Sequence, residues 1–203
     1  TIKDDKVTVV VTPPKLTTNE ITYNFPKIIP GTYSEDDYGK MIVNLKALDK
    51  NGKEIPVAKM DENSWKITDA KKLATITYQV NDTFDSEKGT GFGQDDIFSP
   101  AGTNIDAGKN FMLNTHGFVG YFSDLKDITY TVAIAHPETL WGATSMTDTD
   151  PSKTNDVFTT NRYAELVENP IMYAKPDYTT FNVNGMDILI AVYSPNGVHS
   201  AES

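Results

Sequence analysis

"KMIVNLKALDKNGKEI", Lys40 to Ile55, decides the fold class. Its first ten residues alternate with period two, as a strand with one buried face requires. Asn51-Gly52 then separates that run from "KEI". Asn-Gly is the strongest short-range hairpin signal, because both residues reach positive φ at low cost. The stretch therefore predicts two antiparallel strands joined by a tight turn.

The same grammar extends outward. "KVTVVVT" (Lys6–Thr12), "NEITYNF" (Asn19–Phe25) and "LATITYQV" (Leu73–Val80) read as strands rich in β-branched and aromatic residues. "NSWKI" supplies a short strand whose Trp65 is expected to face the core. Further strands are expected in "FMLN", in "GFVGYF" (Gly117–Phe122) and in "DITYTVAIAH" (Asp127–His136). "YTTFNVNGMDILIAVYS" (Tyr178–Ser194) reads as strand, Asn184-Gly185 turn and strand. "RYAELVENP" (Arg162–Pro170) is the one candidate helix, about two turns long and closed by Pro170. The fold class is all-β, an antiparallel β-sandwich or curved saddle-like sheet with long loops and at most one short helix.

Asn81–Asn110 is the exception. It is rich in Gly, Asp and Ser, has no period, and far exceeds the usual connection of about 4–6 residues. Such a loop is either functional or an excursion pinned by isolated aromatics. Phe84, Phe92 and Phe98 in it, with Tyr121 and Trp141 farther on, are candidate loop aromatics. Exposed, they would stack on sugars or on a protein; buried, they would tie loops to the sheet.

Composition narrows the partners. The chain has 203 residues, 38% of them hydrophobic and 23% charged. That is enough for one substantial core, burying roughly 70% of the unfolded surface. A net charge of −10 and a single arginine, Arg162, argue against nucleic acid. Cysteine is absent, which excludes disulfides, thiol nucleophiles and Cys-ligated zinc. No run approaches the ~20 apolar residues of a membrane span. The sequence opens already in a strand, without Met or signal peptide, as a trimmed or mature form would. "SPNGVHSAES" at the far end resembles a cut within a linker.

Catalytic and metal motifs are equally sparse. His116, His136 and His199 are not spaced to put two imidazoles on one helix face, and there is no H-E-x-x-H. "DTDPSKTND" offers Asp148, Asp150 and Asp156 to calcium. An EF-hand register starting at Asp148 would place Lys153 where Gly belongs and Thr159 where Glu belongs, so a solvated acidic turn is the simpler reading. Glu35-Asp36-Asp37 reads the same way. "GTGFGQ" (Gly89–Gln94) lacks dinucleotide-loop spacing, and no G-x-S-x-G elbow occurs.

One stretch exceeds the needs of a turn. "FPKIIPGTY" carries Phe25-Pro26, Pro30-Gly31 and Tyr33, followed by Tyr38-Gly39 and a strand. Most turns need only Gly, Pro, Asn or Asp. This series resembles the start of the amino-terminal domain of the glycyl aminopeptidase family, bacterial zinc metallopeptidases that commonly carry a PDZ domain. The resemblance continues in order through "NLKALDKNGKEIPVAKMDENSWKI", "ITYQVND", "MLNTHGFVGYF", "YAELVENPIMY" and "FNVNGMDILIAVY", from about Val7 to Tyr193.

The resemblance implies a noncatalytic β-domain over 1–194, with 195–203 starting the linker to a thermolysin-like catalytic domain of the same polypeptide. No catalytic and no metal residue carries over, because no position here matches one. Zinc is expected in the full-length protein and no cofactor in this chain. The implied role is to pack on the catalytic domain and help wall the cleft, with the peptide substrate an indirect partner. A periplasmic or extracellular bacterial location goes with it. Phe25, Pro30, Gly31, Tyr33 and Tyr38 are then the candidate interdomain face, although the same residues could pack within the chain. The alternative is a freestanding carbohydrate-binding or adhesive β-sandwich. A glycosidase or lectin-like enzyme has only the abundance of acids behind it.

Overall fold

The computed structural model describes residues 6–84, 97 and 99–203. The strands are β1 (Lys6–Val11), β2 (Glu20–Asn24), β3 (Ile42–Asp49), β4 (Glu54–Ile55), β5 (Val57–Lys59), β6 (Ser64–Thr68), β7 (Leu73–Asn81) and β8 (Asn104–Asp106). They continue as β9 (Asn110–Leu113), β10 (Tyr121–Phe122), β11 (Tyr130–Ala135), β12 (Trp141–Ala143) and β13 (Asn155–Thr160). One helix, α1 (Tyr163–Val167), precedes β14 (Ile171–Ala174), β15 (Tyr178–Val183) and β16 (Met186–Ala191). The fold is all-β.

Among the described residues, three four-stranded sheets form in the orders β1-β7-β3-β4, β10-β2-β6-β5 and β12-β14-β9-β8. The pairs β11-β13 and β15-β16 stand as two-stranded ribbons. Every pairing is antiparallel. Alternate residues of the sheets meet in one core. Tyr23, Phe25, Trp65, Ile67, Ile76 and Tyr78 from the first half join Phe111, Leu113, Ile171 and Tyr173 from the second. Trp65 is buried, as its strand predicts.

The two Asn-Gly turns differ. At Asn184-Gly185 both residues have positive φ, 51° and 84°, as a type I′ turn requires. At Asn51-Gly52 only Gly52 does, at 77°. There the Gly52 N–H donates to the Asp49 carbonyl at 2.9 Å, and the Asp49 carboxylate accepts from Asn51 and Lys53. The Asp49 side chain thus holds a wider turn than the dipeptide alone suggests.

Three expectations shift. The strand expected over Gly117–Phe122 is a 3-10 turn, Thr115–Gly117, followed by the two residues of β10. Gly120 breaks it, because its N–H donates to the Tyr23 hydroxyl instead of a ladder partner. The helix expected over Arg162–Pro170 is only five residues long. β13 begins within the acidic Thr147–Asp156 stretch that reads as a loop and continues to Thr160, where no strand was expected. Its buried row is Asp156, Phe158 and Thr160, and polar ends disguise the period. Within the long Asn81–Asn110 segment, Phe92 and Phe98 lie outside the described residues.

Candidate functional site

The Pro26–Tyr38 loop closes on itself. The Asp36 and Asp37 N–H groups donate to the Lys27 carbonyl at 3.0 and 3.1 Å, and the Tyr38 N–H donates to the Pro26 carbonyl at 3.2 Å. At its tip Thr32 donates to the Ile29 carbonyl through its N–H and its hydroxyl, at 3.2 and 2.8 Å. Pro30 takes the second turn position and Gly31, with φ 95°, the third, the arrangement of a type II turn. Asn63 ties the loop to the sheet. Its carbonyl accepts from Phe25 N–H, its side-chain oxygen from Gly39 N–H, and its amide donates to Asp37.

The five residues of the candidate face divide. Phe25 is buried at a hub of edge-to-face contacts, with Tyr23 at 5.7 Å, Trp65 at 5.8 Å and Tyr78 at 5.5 Å. Tyr38 is buried too, with Ile97 and Ala101 in a small satellite core and its ring edge-on to His116 at 4.4 Å. Its hydroxyl donates to Asp36, as does Ser34. Burial, with the Asp36 charge beside it, pushes the Tyr38 phenol up. These two rings pack within the chain. Pro30, Gly31 and Tyr33 face solvent.

Tyr33 is the anomaly. It is 98% exposed and has φ 57°, the left-handed region. A bulky L-residue is a true outlier there, at a cost of about 1–2 kcal/mol. Tyr33 thus combines a solvent-presented ring with a strained backbone.

A second cluster joins β13 to its neighbours. Asp156 accepts from the Tyr173 hydroxyl at 2.6 Å, and His136 Nε2 lies 3.1 Å from its other oxygen. Both partners of the His136–Asp156 pair are buried. Burial, reinforced by Asp156, raises the Tyr173 phenol far above the ordinary tyrosine value. His136 and Tyr173 also line an apolar groove of about 950 Å³ between β1 and β11.

The three candidate calcium carboxylates diverge. Asp148 accepts from the Asp150 and Val157 N–H groups, and Asp150 from Ser152 and Asn155, whereas Asp156 serves the cluster just described. Among the described residues, no three His, Asp or Glu side chains converge to hold a metal ion.

Of the three candidate loop aromatics among the described residues, two are engaged. Half-buried Tyr121 packs on Tyr163 at 4.8 Å and under the Lys126 ammonium at 4.4 Å. Trp141 lies against Tyr178 at 4.6 Å. Phe84 is exposed. No helix among the described residues is long and apolar enough to cross a membrane.

Comparisons with known proteins carry the geometry further. No match is found among curated proteins. Among solved structures the chain is similar to an aminopeptidase N family protein from Idiomarina loihiensis, with TM-score 0.73 and 20% identity over 92% of this chain. That likeness is one of fold. This chain spans 29% of the matched one, well under a third of its length. The model of the peptidase M61 N-terminal domain matches residues 1–175. The chain belongs to the peptidase M61 family, and residues 1–175 are the N-terminal domain of that family.

Proposed function

We propose that this chain is the noncatalytic N-terminal domain of a bacterial zinc aminopeptidase of the periplasm or cell exterior. It packs on the catalytic domain of the same polypeptide and helps wall the substrate cleft. Zinc and its ligands belong to that second domain. The observation that carries the reading is Tyr33, whose ring is fully presented to solvent on a loop that Asn63, Asp36 and Tyr38 brace from below. Domain membership supplies the context and the strained tip supplies the contact.

The test is made on the full-length gene product. Tyr33→Ala is expected to lower kcat/KM for release of an N-terminal residue by about tenfold, the loss of roughly 1.4 kcal/mol of contact energy. The melting temperature of the 203-residue chain should stay unchanged. Parallel loss of activity and of that stability would reassign Tyr33 to the fold. A gene product without zinc-dependent peptidase activity would overturn the reading.

A further inference from the structure

The groove between β1 and β11 is walled by two strand edges. Every residue from Lys6 to Pro14 lines it, and so does every residue from Ile128 to Pro137. A strand that presents one face contributes alternate residues, whereas an unbroken run means that the backbone edge itself forms the wall. Both edges are free. Among the described residues β1 pairs only with β7 and β11 only with β13, and no hydrogen bond reaches the other edge of either strand. Val7, Val9, Val11 and Ile134 pack half-buried on the main core, so the floor between the edges is apolar.

The two edges also lack the usual protection. Edge strands normally carry a charge, a proline or a bulge that blocks pairing with another chain. Val7–Val11 and Tyr130–Ala135 hold no charged residue and no proline, and both ladders run without a register shift. By contrast β4, at the far edge of the sheet that holds β1, carries Glu54, and the edge strand β5 carries Lys59. Proline comes only past the strands, at Pro13-Pro14 and Pro137. Each open edge is therefore six residues long, roughly 20 Å.

These edges select the class of occupant. An alkyl chain would cover the apolar floor but strand the edge N–H and C=O groups, at about 1–3 kcal/mol for each one buried without a partner. An extended peptide covers the floor with alternate side chains and pairs its backbone with an edge, the mode of β-strand addition. Among the described residues that line the groove, Lys6 and His136 are basic and none is acidic, in a chain with 28 acidic residues. A basic side chain would find no counter-charge there. We infer that the groove binds an extended, uncharged peptide stretch of β-branched residues, which adds a strand to the β1 edge. β1 offers four valines where β11 offers two alanines, and β-branched pairs are the better cross-strand partners. The peptide is a stretch of substrate polypeptide, a source that rests on the function proposed above.

The probe is a fluorescein-labelled heptapeptide, Ser-Val-Thr-Val-Thr-Val-Ser, titrated by fluorescence anisotropy into the 203-residue chain and into the full-length gene product. Saturable binding to both is expected. Methylating alternate backbone nitrogens of the probe keeps its side chains but removes its edge donors, and should weaken binding about tenfold or more. Lysine in place of the middle valine of the probe should do the same. So should Val10→Lys, at an edge position that is 63% exposed, with the melting temperature of the chain preserved. Met60→Lys, exposed and outside the groove, should bind as the native chain does. Equal binding of the parent and methylated probes overturns strand addition, and so does displacement of the probe by dodecanoate, which would mark an alkyl site. Absence of binding to either form overturns the site altogether. Binding to the 203-residue chain but not to a full-length protein with peptidase activity means that another domain covers the groove; it overturns the inference and spares the functional reading. A full-length product that binds the probe but has no peptidase activity overturns the functional reading and the substrate source together.

Discussion

The Tyr23 hydroxyl lies 3.2 Å from that of Tyr78, at the centre of a buried relay that joins two sheets to the Phe118–Gly120 segment. Tyr78 donates to the Phe118 carbonyl at 2.6 Å, so Tyr23 must donate to Tyr78 and accept from the Gly120 N–H at 3.0 Å. Burial pushes both phenols up, which keeps every proton in place.

Either Tyr23→Phe or Tyr78→Phe should therefore destabilise the chain by about 1–3 kcal/mol, because each strands a buried partner. The double variant should cost less than the sum, since the two share one network. Urea unfolding of the three variants measures this; strict additivity would show that the relay does not act as a unit.

Gly142 has no room for a side chain. A Cβ there would stand 2.7 Å from the Asp156 carboxylate and 3.0 Å from the Tyr173 ring. Gly142→Ala should thus displace the His136–Asp156–Tyr173 cluster and cost about 1–3 kcal/mol. Thermal unfolding would register a lower midpoint, and an unchanged one would mean that β12 shifts without strain.

Relief of the backbone at Tyr33 predicts the opposite sign. Asn tolerates left-handed φ better than Tyr, and the ring makes no intrachain packing to lose. Tyr33→Asn should raise the stability of the 203-residue chain by up to about 1 kcal/mol. A clear loss in chemical denaturation would place the Tyr33 ring in the fold's own packing.

His116 links stability to pH. Its Nε2 lies 3.0 Å from the Ala101 carbonyl, Nδ1 is buried without a partner among the described residues, and burial lowers its pKa from 6.5 despite Ala101 and Asp36. The unfolded chain then binds the proton more readily than the folded one. This contribution is fully present above about pH 6.5 and is lost as pH falls from there toward the folded value. Melting temperatures from pH 7.5 to 5 should decline for the native chain and decline less for His116→Gln.

Much was legible in the sequence because strands with one buried face advertise themselves. Alternation located β1, β2, β3, β6 and β7, and the two Asn-Gly pairs located two reversals. β13 hid because its buried row holds the polar residues Asp156 and Thr160, and Asp156 is satisfied by Tyr173 and His136, both distant in sequence. The ordered series from Phe25 to Tyr193 carried the family resemblance that the match over 1–175 supports.

Local chemistry thus determined the all-β class, the turns and the absence of thiol chemistry, since each depends on neighbours along the chain. Only the tertiary structure separated the aromatics. Phe25 and Tyr38 look like Tyr33 in sequence, yet two are buried and one is fully exposed. Likewise "FNVNGMDILIAVY" reads as an ordinary hairpin until its apolar ladder is found facing solvent. Burial is decided by what the rest of the chain places opposite a side chain, and no local pattern contains that information.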